Sequence, residues 1–179
     1  MKRSDRFIEW MKDWFVYESM KNKEGQVQIL RFYPLPTRRF AINVIYFDYD
    51  GFHNHLWNFV SFILYGGYKE SIGSKQRLRK PLSFGYIKHS YFHKIVLISD
   101  KSISLMIRGK DNKKLTTYLV DGKQINEVKY WMNKGYTRDD LLESMQGHLP
   151  RKWKMPKFMV EIVDKHRNPI DREKYKKKT

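Results

Sequence analysis

The chain has 179 residues, which suits one ordinary domain with additions and is short for two. It has no cysteine, so disulfides, thiolate metal sites and cysteine nucleophiles are excluded, and a protein metal ligand must be His, Asp, Glu or a main-chain group. With 41% apolar and 16% aromatic residues it can build a core, while 36 Lys and Arg against 19 Asp and Glu leave +17, a field that attracts polyanions.

The first element reads as an amphipathic helix. Phe7, Met11 and Trp14 recur at helical spacing with Ile8 and Phe15 alongside, so a helix is predicted from Ser4 to about Asn22. Ser4 is the expected N-cap and Gly25 lies just past the end. The polar face mixes Asp13 and Glu18 with Lys12, which suits packing on a sheet better than lying on a membrane. The opening residues soon turn to mixed charge and do not read as a secretory signal. Apolar runs such as 59–65 fall far short of the roughly 20 residues of a membrane span. A soluble, cytoplasmic protein with no membrane contact is expected.

From residue 26 the pattern changes to strands rich in Val, Ile, Phe and Tyr. They are expected near 27–33, 40–48, 52–65, 68–72, 83–89, 92–98, 103–108 and 115–120. Turn signals separate them, among them residues 48–51, the pair Gly66 and Gly67, and the pair Asp121 and Gly122. Many short strands with tight turns predict a mainly β protein, a jelly-roll β-barrel or sandwich. Two helices should follow. Ile125, Val128, Trp131 and Met132 form one apolar stripe, and Thr137 with Asp140 makes a capping box for the second. Alternation at Phe158, Val160 and Ile162 suggests a last strand. The expected division is residues 1–25 as a helix packed on the barrel, 26–122 as the barrel, and 123–179 as C-terminal helices and a basic tail.

Charge is concentrated at the end. Residues 151–179 hold 11 basic and 4 acidic side chains. Such a tail either keeps the protein soluble or contacts nucleic acid or an acidic protein partner, with Trp153 between basic residues able to stack a base.

Four of the six histidines, His53, His55, His89 and His93, lie in the strand region; His148 and His166 lie outside it and are expected at the surface. His53 and His55 form an H-x-H pair. Side chains at i and i+2 of a strand share a face, so both imidazoles can converge on one ion. His93, in a later strand, is placed to join them if the sheet closes on itself. Three imidazoles suit a first-row divalent ion and leave positions open for water or substrate. No Ser-His-Asp arrangement, phosphate-cradling glycine loop or nucleotide fingerprint is present.

The stretch from His53 through Trp57 to Gly66, Gly67 and Glu70 resembles the first motif of the cupin superfamily, in which an H-x-H pair is followed by a glycine at this distance. More narrowly, it is similar to bacterial and phage cupin-like proteins with an H-x-H, a Trp, a Ser-containing apolar strand and a G-G-Y-x-E ending. The later His93, followed by Lys94 and an apolar run, occupies the place of the second motif. The resemblance runs from about Arg31 to Trp131. It departs at Leu56, where relatives tend to have Pro, at Asn58, where an acid is expected, and at Ser90, where the second motif has Gly. Phe59 and Val60 stand where the cupin Glu ligand belongs, which leaves a three-His set like that of thiol-oxidising cupins.

The resemblance implies a cupin-like barrel holding Fe(II), with Zn, Ni or Mn as alternatives, on His53, His55 and His93. It implies an oxygenase type of reaction on a small-molecule substrate. Glu70 is either a fourth ligand, a hydrogen-bond partner of a ligating imidazole, or a solvent-facing strand end. His89 and Asn58 are placed behind the ligands or outside, and Trp57 and Phe59 as pocket walls. Arg77, Arg79 and Arg108 are candidates for a substrate carboxylate or phosphate. The rival reading is a non-catalytic basic scaffold on a degenerate barrel, serving a virion or nucleoprotein assembly. A homodimer is compatible with either.

Overall fold

A computed structural model describes residues 2–152 except 23, 36, 49–50, 113–115, 138–139, 142–144 and 149. The basic tail from Trp153 on, the alternation at 158–162 and His166 lie outside the described residues.

Helix α1 (Arg3–Trp14) leads into β1 (Val16–Lys21), β2 (Val27–Tyr33), β3 (Phe40–Ile45), β4 (Phe52–His53) and β5 (Trp57–Tyr65). Then come β6 (Tyr68–Ile72), β7 (Lys75–Arg79), β8 (Phe84–Ile87), β9 (His93–Leu97), β10 (Ser102–Asp111), β11 (Thr117–Val120) and β12 (Lys123–Asn126). Helix α2 (Glu127–Asn133) and β13 (Met145–His148) follow. The strands pair antiparallel into two sheets, ordered β13-β1-β2-β3-β10-β5-β8 and β12-β11-β4-β9-β6-β7. The chain is therefore mainly β, a jelly-roll sandwich of two antiparallel sheets. Each sheet keeps two edge strands, so the barrel expected from the sequence is open rather than closed.

The larger sheet is covered on both faces. Leu30, Phe32, Val44 and Ile103 pack under Ile8 and Met11 of α1. The opposite faces of β2 and β3 present Ile29 and Ile45 to Ile63, Tyr68 and Ile95. Consecutive buried residues in β2 reflect these two contacts, since neighbours along a strand point to opposite sides.

The first helix is shorter than its periodicity predicts. It stops at Trp14, and residues 16–21 form a strand instead of two more turns. Val16 and Tyr17 are β-branched and aromatic, and sheet pairing on both sides of β1 outweighs helix propensity. The N-cap is Lys2, without a side-chain cap, rather than Ser4. Asp5 in the first turn supplies the negative charge that suits a helix start, and pairs with the buried Lys101.

Glycine is required where β5 crosses into β6. Gly66 and Gly67 have φ of 70° and 141°. A Cβ on Gly67 would lie 2.3 Å from the Arg79 carbonyl oxygen, and one on Gly66 2.0 Å from that of Lys101. Gly67→Ala is expected to cost about 2 kcal/mol, read from the urea midpoint; an unchanged midpoint would show that the turn relaxes freely.

The C-terminal elements differ in part from expectation. Ile125 falls in β12 rather than in the helix, and Met132 is half exposed. Tyr130 is the buried residue of α2, which is capped by the Asn126 side chain accepting from the Lys129 N–H. Thr137 and Asp140 exchange the reciprocal bonds of a capping box, at 2.6 and 3.1 Å. Strand β13 was not expected. It adds to β1, and His148 reaches the Ser19 hydroxyl at 2.8 Å and stacks on Tyr17 instead of lying free on the surface. Residues 151–152 then return to α1, where Arg151 and Lys152 pair with Asp13. No helix among the described residues is long and apolar enough to cross a membrane.

Candidate metal centre

Strand register brings the first two histidines together. His53 ends β4, where it lies directly opposite His93 of β9 on one side and Tyr118 of β11 on the other. Directly paired residues hold their Cβ atoms about 5 Å apart, so the two imidazoles meet without any special loop. His55 reaches them differently. The strand expected over 52–65 breaks after His53, and His55 lies in the link to β5. Asn54, fully buried, fixes that link. Its backbone N–H donates to the Thr117 carbonyl, and its side-chain oxygen accepts from the Thr117 N–H and hydroxyl, each at 3.0 Å.

The three rings face one another, with centroids 5.0 Å apart for His53 and His55, 4.8 Å for His53 and His93, and 4.9 Å for His55 and His93. One ligand atom from each lies within 4.8 Å of the others. The Nε2 atoms of His55 and His93 are 2.7 Å apart. Two neutral imidazole nitrogens this close need a proton or a cation between them. His53 Nδ1 lies 3.3 Å from the Gly51 carbonyl, an acceptor that favours the proton on Nδ1 and leaves Nε2 as the ligand atom.

A carboxylate orients the third ring. Glu70 of β6 is 2% exposed. It accepts from His93 Nδ1 at 2.8 Å through one oxygen and from Arg77 Nε at 2.6 Å through the other. His93 therefore carries its proton on Nδ1 and turns the Nε2 lone pair toward His55. Burial pushes the Glu70 carboxyl up, but the bonds and charges of His93 and Arg77 outweigh it and hold it below its usual range. Burial and the neighbouring His93 lower His53 to about 3, and the same causes, with His53 added, hold His55 well below its ordinary value. Neutral imidazoles with available lone pairs are the form that binds metal, so the donor set fits a divalent ion.

Aromatic side chains wall the cluster. Phe59 meets the His55 ring edge-on at 4.7 Å, and Trp57 lies 6.3 Å from it. Phe59 is directly opposite Arg108 on β10, and the Arg108 guanidinium stacks over Trp57 at 4.3 Å. Asn58 points to the other face of β5. There its oxygen accepts from the backbone N–H of His89 and lies 2.8 Å from that ring's Nδ1, which pairs the two residues away from the three histidines. Two of the three candidate arginines are taken up by protein acceptors. Arg77 holds Glu70, and Arg79 donates to the Phe84 carbonyl and to Ser61.

Sequence reasoning missed several contributors. Asn54 is one, although an Asn between two histidines is a residue type that turns the chain by bonding nearby backbone. Tyr118 is another; it is fully buried, lies 5.6 Å from His53 and stacks on Tyr130 of α2 at 3.8 Å. Arg31, which donates to Asn43 at 2.9 Å, places its charge near His55. Glu127 opens α2, and its carboxyl is pushed up to about 7 by burial despite a hydrogen bond with Trp131.

No family model and no curated protein sequence matches the chain. Solved structures resemble it weakly. Hydroxypropylphosphonic acid epoxidase from S. wedmorenis is 14% identical with a TM-score of 0.42, over 52% of this chain and 55% of that one. The DMSP lyase DddQ from Ruegeria pomeroyi is 14% identical with a TM-score of 0.39, over 57% and 50%. A cupin protein from Bacteroides fragilis is 16% identical with a TM-score of 0.35, over 45% and 73%. The chain spans about half the length of the first two.

Proposed function

We propose that the chain is a metal-dependent enzyme of cupin type that uses Fe(II) to oxygenate a small molecule. The observation that carries this reading is a buried cluster of three histidines with ligand atoms within 4.8 Å of one another. His53, His55 and His93 would hold the ion. When bound, Fe(II) supplies open coordination positions and redox reactivity toward dioxygen and substrate. Glu70 keeps His93 in the metal-binding tautomer, and Asn54 fixes the link that carries His55. Phe59 and Trp57 exclude water from the side of His55.

Protein purified without chelator is expected to contain close to one divalent ion per chain by elemental analysis. His53→Ala and His93→Ala should each lose it while keeping the circular-dichroism spectrum of a β protein. Equal metal content in wild type and both variants would defeat the reading. It would leave a non-catalytic scaffold for nucleic acid or an acidic protein, which the +17 charge favours.

A further inference from the structure

Arg108 is 8% exposed, yet its side chain has no hydrogen-bond acceptor or ion-pair partner among the described residues. The guanidinium stacks instead on the Trp57 ring, 4.3 Å away. The residue keeps a small contact with solvent. Other arginines are engaged: the nearby Arg31 with Asn43 and Arg38 with Glu18, and, on the other sheet, Arg77 with Glu70 and Arg79 with Ser61. Burial lowers Arg108 to about 10, with the Arg31 charge adding to the effect. The Glu18 carboxylate acts on Arg108 only from a distance and is held by Arg38; a cation withdrawn from water with no anion in contact disfavours folding. That disadvantage is offset when a ligand brings the anion.

The position suits a ligand of the metal centre. Trp57, under the guanidinium, lies 6.3 Å from the His55 ring. Phe59, opposite Arg108 across the ladder, lies 4.7 Å from the same ring. Both aromatics therefore neighbour the cation as well as the His55 ring. We propose that Arg108, stacked on Trp57 beside the three histidines, binds the anionic end of a small organic carboxylate or phosphonate. The guanidinium fork meets two oxygens of either group. Trp57 and Phe59 pack the carbon segment, and the other end of the molecule faces the cluster. This substrate class rests on the metal-centre reading for what happens at that far end.

The test titrates full-length protein by calorimetry with propionate and with methylphosphonate, each with and without Co(II). Wild type is compared with Arg108→Met, Arg108→Lys and the exposed control Lys110→Met. Saturable binding is expected in wild type and in the control. Arg108→Met should weaken it at least tenfold and Arg108→Lys by less, since lysine keeps the charge but loses the fork. The probe bound more tightly tells a planar from a tetrahedral anion. The melting temperature of Arg108→Met should hold or rise, because an apolar side chain replaces a buried cation with no anion in contact; a residue kept for the fold would lower it. Equal probe affinity in wild type and Arg108→Met, or no binding of either probe by wild type, overturns the proposal. Cobalt uptake is measured in the same samples. Failure of the metal reading shows as wild type that takes up no cobalt, and failure of this proposal as cobalt-loaded protein indifferent to Arg108.

Discussion

Glu70→Ala is expected to lose about 3–5 kcal/mol of stability and to weaken metal binding by roughly 10- to 100-fold. The carboxylate is 2% exposed and joins two donors, His93 Nδ1 at 2.8 Å and Arg77 Nε at 2.6 Å. Its removal leaves a buried imidazole N–H without an acceptor. The ring is then free to rotate or to change tautomer, and Nε2 no longer faces His55 by necessity. The Arg77 side chain is 40% exposed and can turn to water, so most of the loss falls on His93. Glu70→Gln separates the two roles. It keeps an acceptor oxygen of the same reach but no charge, so stability should recover more fully than metal affinity. Urea unfolding gives the first quantity, and competition for Co(II) against a chelator gives the second. Cobalt affinity equal to wild type in both variants would show that His93 needs no carboxylate behind it.

The metal-free protein is expected to lose stability in mild acid. His53 falls from an ordinary 6.5 to about 3 because burial, and then the neighbouring His93, oppose its protonation. Between those values the unfolded chain takes up a proton that the folded chain refuses, so falling pH favours unfolding. The stability is complete above about pH 6.5 and declines steadily down to about pH 3. For His53 alone the loss by pH 5 is about 2 kcal/mol. His55 is lowered for the same reasons and adds in the same direction. Chelator-treated protein should therefore show a urea midpoint that drops between pH 7.5 and 5. His53→Ala, which removes the titrating group, should show a shallower drop. A midpoint constant over that range in the wild type would contradict the burial of neutral imidazoles.

Much of this arrangement was legible because it follows from strand periodicity. Alternation in β5 places Trp57 and Phe59 on the side of His55 and Asn58 on the other. The pairing of His93 with His53 needed only two strands in register. Glu70 left three readings open because its partner is 23 positions away in sequence, and spacing alone could not choose among them. Other features were hidden for physical reasons. The H-x-H pair read as one strand, yet His55 reaches the cluster through a side-chain clamp at Asn54 that has no periodic signature. Residues 16–21 follow a helical stripe in composition and become a strand only because β2 and β13 flank them. Among the arginines, sequence could not tell that Arg77 and Arg79 meet acceptors and Arg108 does not, since that depends on which face of which sheet each one occupies.

The return of residues 145–152 to β1 and α1 sets an order of events on the ribosome. The first helix and strand leave the exit tunnel early, but β1 stays a bare outer strand until β13 has been synthesised more than a hundred residues later. Asp13 meets its cations Arg151 and Lys152 only then. A nascent chain halted before residue 145 would expose that unpaired edge to other nascent chains, where strand-to-strand aggregation begins.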